Sequence, residues 1–119
     1  MDDSSTALRE KHCAPGEEGM PPLLPEQIEL LLKNVHGWRL VSDGKCIRKE
    51  WRMQNFAATL EFFNDVGKIA EDEDHHPDLH LVDFRNVAIE LSTHAADGVT
   101  ENDFILASKI DDLPVRLKE

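Results

Sequence analysis

The alternation of apolar and polar positions divides the chain beyond Pro25 into seven short elements. From Pro25 to Asn34, Ile28, Leu31 and Leu32, with Val35 just beyond, recur at helical spacing. Proline suits the first turn of a helix, where its missing N–H costs nothing, and Gly37 is placed to help end it. A hairpin is predicted next. Trp38 and Leu40 alternate with Arg39 and Val41, and Ser42-Asp43-Gly44-Lys45 carries the Asp-Gly signal of a tight turn. On the return strand Ile47, Lys49, Trp51 and Met53 share one face, while Arg48, Glu50 and Arg52 share the other. One face is mostly apolar and the other wet, as in an antiparallel sheet covered on one side.

The longest helix is predicted from about Asn55, a candidate N-cap, to Asp74. Its apolar stripe is Phe56, Leu60, Phe63, Val66, Ile69 and Ala70. Gly67 inside it costs helix propensity and points to close packing. The helix runs out in Glu71-Asp72-Glu73-Asp74-His75-His76-Pro77. Acids at a helix C-terminus oppose its dipole, a local conflict of the kind that marks function. Pro77 disfavours helix at His76. Strands follow at about 79–82 and 85–93, with a turn near Asp83, and His94 closes the second. After the Ala95–Gly98 loop, Thr100 caps a last helix with Asp103 at the capping-box position, and Leu106, Ile110 and Leu113 form its stripe up to Pro114. The order helix, two strands, helix, two strands, helix predicts an α+β fold: a four-stranded antiparallel sheet with three helices packed on one face. Residues 1–24, rich in Ser, Pro, Gly and Glu, read as a flexible N-terminal arm, and residues 25–119 as the folded domain.

Composition narrows the partners. The chain has 119 residues, with 13 Lys and Arg against 24 Asp and Glu, a net charge of −11. That suits one small domain whose core gains from self-association. The charge disfavours phosphate backbones and anionic membranes, and no basic patch or membrane-length apolar run offsets it. The start Met1-Asp2-Asp3 lacks a secretory pattern. Cys13 and Cys46 lie far apart and form no CxxC, which fits a reducing, cytoplasmic setting.

Four of the six histidines fall between His75 and His94. Imidazole titrates near neutrality and serves as acid, base or ligand. Each histidine alone has a bland explanation in solvation or capping. Together, Pro77 fixes the exit from the helix, the following segment returns toward the sheet, and Glu71 stands four residues before His75, positioned to orient its ring. A metal would ask for two histidines on one face. His75 and His76 are adjacent, and Pro77 breaks the spacing from His76 to His80, so no metal is expected. Nucleophile, P-loop and dinucleotide motifs are absent, as is tyrosine.

The block Glu71-Asp72-Glu73-Asp74-His75-His76-Pro77, followed by Phe84, Thr93-His94, Gly98, Thr100 and Asp103, resembles the signature of the pterin-4a-carbinolamine dehydratases. Gly37-Trp38 and the cap before Phe56 agree more weakly. The resemblance spans about Trp38 to Leu113. It implies dehydration of 4a-hydroxytetrahydropterin to the quinonoid dihydropterin, without metal or other cofactor, in recycling the pterin of aromatic amino acid hydroxylases. It implies a small-molecule pterin substrate and a homo-oligomer, dimer or tetramer. By the same resemblance His75, His76 and His94 are the active-site histidines, with His75 and His94 in proton transfer and His76 mainly in positioning. Pro77 and Thr93 shape the pocket, Glu71 orients His75, and Asp103 is a helix cap. Asp78-Leu79 stand where many relatives have tryptophan, Phe84 replaces the commoner tyrosine, and His80 is extra. Some relatives also bind a transcription-factor dimerisation helix, so the alternatives are an interaction module and another pterin or folate-pathway step.

Overall fold

A computed structural model describes residues 8–14 and 20–119. Helix α1 (Pro25–Leu32) leads to strand β1 (Arg39–Val41) and strand β2 (Cys46–Arg52); helix α2 (Phe56–Glu73) leads to β3 (Asp78–Val82), β4 (Asn86–Leu91) and helix α3 (Glu101–Asp111). The strands form one antiparallel sheet in the order β1-β2-β4-β3, with the helices packed on it, as the pattern predicts.

Local chemistry accounts for the boundaries. Pro25 opens α1, and the Leu24 N–H donates to Gln27 Oε1 at 2.8 Å. In the β1–β2 turn Asp43 and Gly44 both hold positive φ (57° and 84°), and the Lys45 N–H reaches the Ser42 carbonyl at 3.2 Å. Asn55 caps α2 by accepting from the Ala58 N–H at 2.8 Å.

Register sets the core. Ile47 faces Leu91 and Trp51 faces Val87 across β2 and β4, and these side chains pack with Phe62 and Val66 of α2 and Phe104 and Ile110 of α3. The odd member of the inward face, Lys49, holds its Nζ over the Trp51 ring, 5.0 Å from the centroid, and 2.9 Å from Asp111 Oδ1. Asp111 also accepts from Trp38 Nε1 at 3.0 Å and from the His36 N–H at 2.9 Å. One carboxylate thereby fastens the end of α3 to the entry of β1.

Two expectations about burial change. The buried arc of α2 is Ala58, Thr59, Phe62, Val66, Ala70 and Glu73. Of the expected stripe only Val66 and Ala70 lie fully inside, while Phe56 is 49% and Leu60 43% exposed. The helix carries apolar residues on two adjoining arcs, and the arc holding the small Ala58 and the hydroxyl of Thr59 approaches the sheet. Thr59 is satisfied there, donating to the carbonyls of Asn55 (3.0 Å) and Phe84 (3.2 Å).

The second change concerns the loose arm expected over residues 1–24. Its residues 1–7 and 15–19 lie outside the described residues. Residues 8–14, in contrast, are docked: Leu8 is in the core, Lys11 meets Glu101 at 2.8 Å, and the Ala14 N–H donates to Asn102 Oδ1 at 2.9 Å. The polar composition hides this because the docking groups are mostly backbone amides meeting buried polar side chains. This strap also explains why α3 is buried from Asn102 to Ser108, well beyond the single stripe expected.

Candidate active site

The end of α2 determines where the histidines go. Asp74 adopts a left-handed conformation (φ 52°, ψ 43°), its N–H bonds the Glu71 carbonyl at 3.4 Å, and the His75 N–H bonds the Ala70 carbonyl at 3.2 Å. This is a Schellman closure, which satisfies the last carbonyls of the helix and reverses the chain. Aspartate tolerates the left-handed region better than most residues. His75 is thereby turned inward and is 4% exposed, whereas His76 stays on the surface.

Inside, His75 Nε2 lies 2.6 Å from Asp103 Oδ1, and Asp103 is 0% exposed. The second oxygen of Asp103 accepts from the Thr100 N–H and from Thr93 Oγ1, each at 2.9 Å. Both oxygens of Asp103 are engaged, and an ionised carboxylate only accepts, so in that form the His75 Nε2–H donates to it. With its hydroxyl hydrogen directed at Asp103, Thr93 Oγ1 accepts from Thr100 Oγ1 at 2.7 Å. The Thr93 backbone is pinned in turn, its N–H bonding the Gly98 carbonyl at 2.8 Å. The corner after α2, the end of β4 and the first turn of α3 thus meet in one buried network.

The expected pairing of Glu71 with His75 does not occur. Glu71 Oε2 lies 2.6 Å from His76 Nε2 instead. The four-residue spacing holds only within a helix, and the left-handed Asp74 interrupts it before His75. Asp103, expected as a cap alone, has both roles: one oxygen caps α3 and the other holds His75. The capping-box spacing is visible in sequence, but the partner of its second oxygen is not.

Pro77 is half-buried directly after the pair. His94 opens a short 3-10 turn (His94–Ala96) and is exposed, one residue from Thr93, which brings its backbone to the edge of the network. A groove of about 600 Å³ runs along the outer side of α2, lined by Phe63, Gly67 and Glu71 among others, and so borders the His76–Glu71 pair. His80 stands apart on the open face of the sheet, 3.5 Å from Glu90 Oε1. Among the described residues no three His, Cys, Asp or Glu side chains gather as a metal cluster. Burial, with Glu90 adding to it, pushes the Cys46 thiol up to about 11. No helix among the described residues is long and apolar enough to cross a membrane.

Residues 21–113 match the family model described as pterin 4 alpha carbinolamine dehydratase. The chain belongs to that family. A protein of Nitrosospira multiformis named for this dehydratase is 44% identical over 113 residues, covering 95% of this chain and 97% of its own. Pterin-4-alpha-carbinolamine dehydratase 2, mitochondrial, of Arabidopsis thaliana is 45% identical over 91% of this chain, which spans 59% of that protein's length. A solved structure titled transcriptional coactivator/pterin dehydratase, from Brucella melitensis, superposes with a TM-score of 0.71 at 28% identity, over 75% of this chain and 94% of its own. A pterin dehydratase-like RuBisCO assembly factor of the alpha-carboxysome, at 21% identity and a TM-score of 0.55, shares the fold. The relatives are named for the hydro-lyase class that the His-His-Pro and Thr-His blocks imply.

Proposed function

We propose that this chain dehydrates a 4a-hydroxytetrahydropterin to the quinonoid dihydropterin and water, in recycling a pterin cofactor in the cytoplasm. The buried His75–Asp103–Thr93 network carries the proposal. In the reaction the C4a–O bond breaks with its electron pair leaving on oxygen, and an acid supplies the proton that makes the leaving group water. A base removes the N5 proton, and the released pair forms the N5–C4a double bond. His75 and His94 take these proton-transfer roles, and neutral pH keeps imidazole competent for either. Asp103 fixes which ring nitrogen of His75 bears hydrogen and holds the ring still. His76, braced by Glu71, positions the flat bicyclic substrate, with Pro77 and Thr93 shaping the walls. No metal or other cofactor takes part.

Mixing the purified protein with freshly generated carbinolamine and following the dihydropterin absorbance is expected to show dehydration well above the spontaneous rate, unchanged by a chelator. Absence of acceleration overturns the proposal, and loss on chelation restored by zinc overturns its metal-free form.

The exposed Phe56 and Leu60, with the half-buried Phe63 at helical spacing on the same helix, form an apolar strip along α2. A second copy of the chain is the occupant proposed for it, giving a homo-oligomer. Burial of each such side chain contributes about 1.5–3 kcal/mol. Leu60→Glu is expected to shift the protein to monomer in light scattering at micromolar concentration. A wild-type chain already monomeric there removes the oligomer from the proposal.

A further inference from the structure

The strap of residues 8–14 grips two residues that flank the buried pair. On one side, Glu73 closes α2 two positions before His75. Its buried carboxylate accepts from the Cys13 N–H at 2.6 Å and meets His12 Nδ1 at 2.8 Å, with Lys109 Nζ at 3.7 Å. Burial alone raises such a carboxyl, but the Cys13 amide, His12 and Lys109 outweigh it and hold Glu73 below the ordinary range. On the other side, Asn102 directly precedes Asp103. Its amide pairs in both directions with Ala14, Oδ1 accepting from the N–H at 2.9 Å and Nδ2 donating to the carbonyl at 3.1 Å.

Two consecutive strap residues therefore tie the last residue of α2 to the first turn of α3. Those are the two segments whose separation sets the 2.6 Å contact between His75 and Asp103. A carboxylate and an amide, both buried, direct their hydrogen bonds to a short stretch of backbone. An acid–base group displaced by a fraction of an ångström loses rate steeply. We infer that Glu73 and Asn102 are positioning residues, which act through the Cys13–Ala14 backbone to clamp α2 against α3 and hold His75 on Asp103. The inference rests on the proton-transfer role proposed above for His75.

The test uses the full chain with Glu73→Ala, Glu73→Gln, Asn102→Ala and, as reference, His75→Ala. Glu73→Ala and Asn102→Ala are each expected to lower kcat roughly tenfold with KM nearly unchanged. Glu73→Gln keeps an acceptor for the Cys13 N–H and is expected to recover most of that loss. Proton NMR gives a readout independent of turnover. The His75 Nε2–H resonance is expected far downfield in the wild type because of the short contact with buried Asp103, to shift or broaden in both alanine variants, and to return in Glu73→Gln. Should the alanine variants keep wild-type kcat and an unmoved resonance, losing only thermal stability, the strap is merely structural and the inference falls. If His75→Ala retains full rate, it is the catalytic role of His75 that fails, and the resonance in the Glu73 and Asn102 variants still decides whether the strap positions the ring.

Discussion

Asp103→Ala is expected to destabilise the fold by about 3–5 kcal/mol, the usual cost of removing one partner of a buried ion-paired cluster. The loss is large because three donors converge on one side chain: the His75 ring, the Thr93 hydroxyl and the Thr100 amide. Alanine leaves all three buried without this acceptor and also uncaps α3. For a domain whose total stability is on the order of 5–15 kcal/mol, the change shows as a large fall in the urea midpoint. Asp103→Asn separates the effects. Its single remaining oxygen serves one side only; kept on Thr93 and Thr100, it turns the NH2 toward His75, whose Nε2 must then accept in place of donating. An intermediate stability loss is expected, with dehydration slowed on the order of 10²-fold because His75 is no longer held in one tautomer. Equal midpoints for the Asp103→Asn variant and the wild-type protein would show that the network contributes little.

His75→Ala is expected to reduce kcat by a factor on the order of 10² or more while the circular dichroism spectrum stays native. The His75 ring packs at the edge of the core and is one of three donors to Asp103, so its removal costs less stability than removal of the hub. His94→Ala is expected to match it in kcat. His76→Ala, which removes an exposed ring from the Glu71 pair, is expected to act mainly on KM. Normal rates in both the His75 and His94 variants would remove the acid–base mechanism. A loss confined to KM in all three would recast the histidines as binding groups.

The contrast between what the chain announces and what it conceals follows from interaction range. Strand alternation around Trp51 and Ile89, the Asp43-Gly44 turn and the Asn55 cap are legible because each depends on neighbours a few residues away. The His-His-Pro corner and the Thr-His strand end are legible as candidates for the same reason. The partner exchange is not: whether Glu71 meets His75 or His76 turns on one backbone dihedral at Asp74. Asp103 is fully explained, locally, by its cap, and nothing nearby in sequence indicates that its other oxygen faces a histidine 28 positions away. The strap is hidden more deeply. Cys13 and Ala14 dock mostly through main-chain groups, which every sequence possesses, and the burial of Glu73 and Asn102 exposes the attachment.

The left-handed Asp74 makes the site a matter of handedness at one residue. A residue that resists positive φ, such as valine, would lose about 1–2 kcal/mol in keeping the reversal. If the helix instead ran on by another turn, His75 would sit one turn above Glu71 and share the solvent-facing fate of its neighbour. Buried proton donor and surface imidazole would then differ by a single peptide's twist, with no change in either histidine. Glycine or asparagine at position 74 should be tolerated for the same reason, because what this acidic position supplies to the reversal is a backbone twist and not a charge.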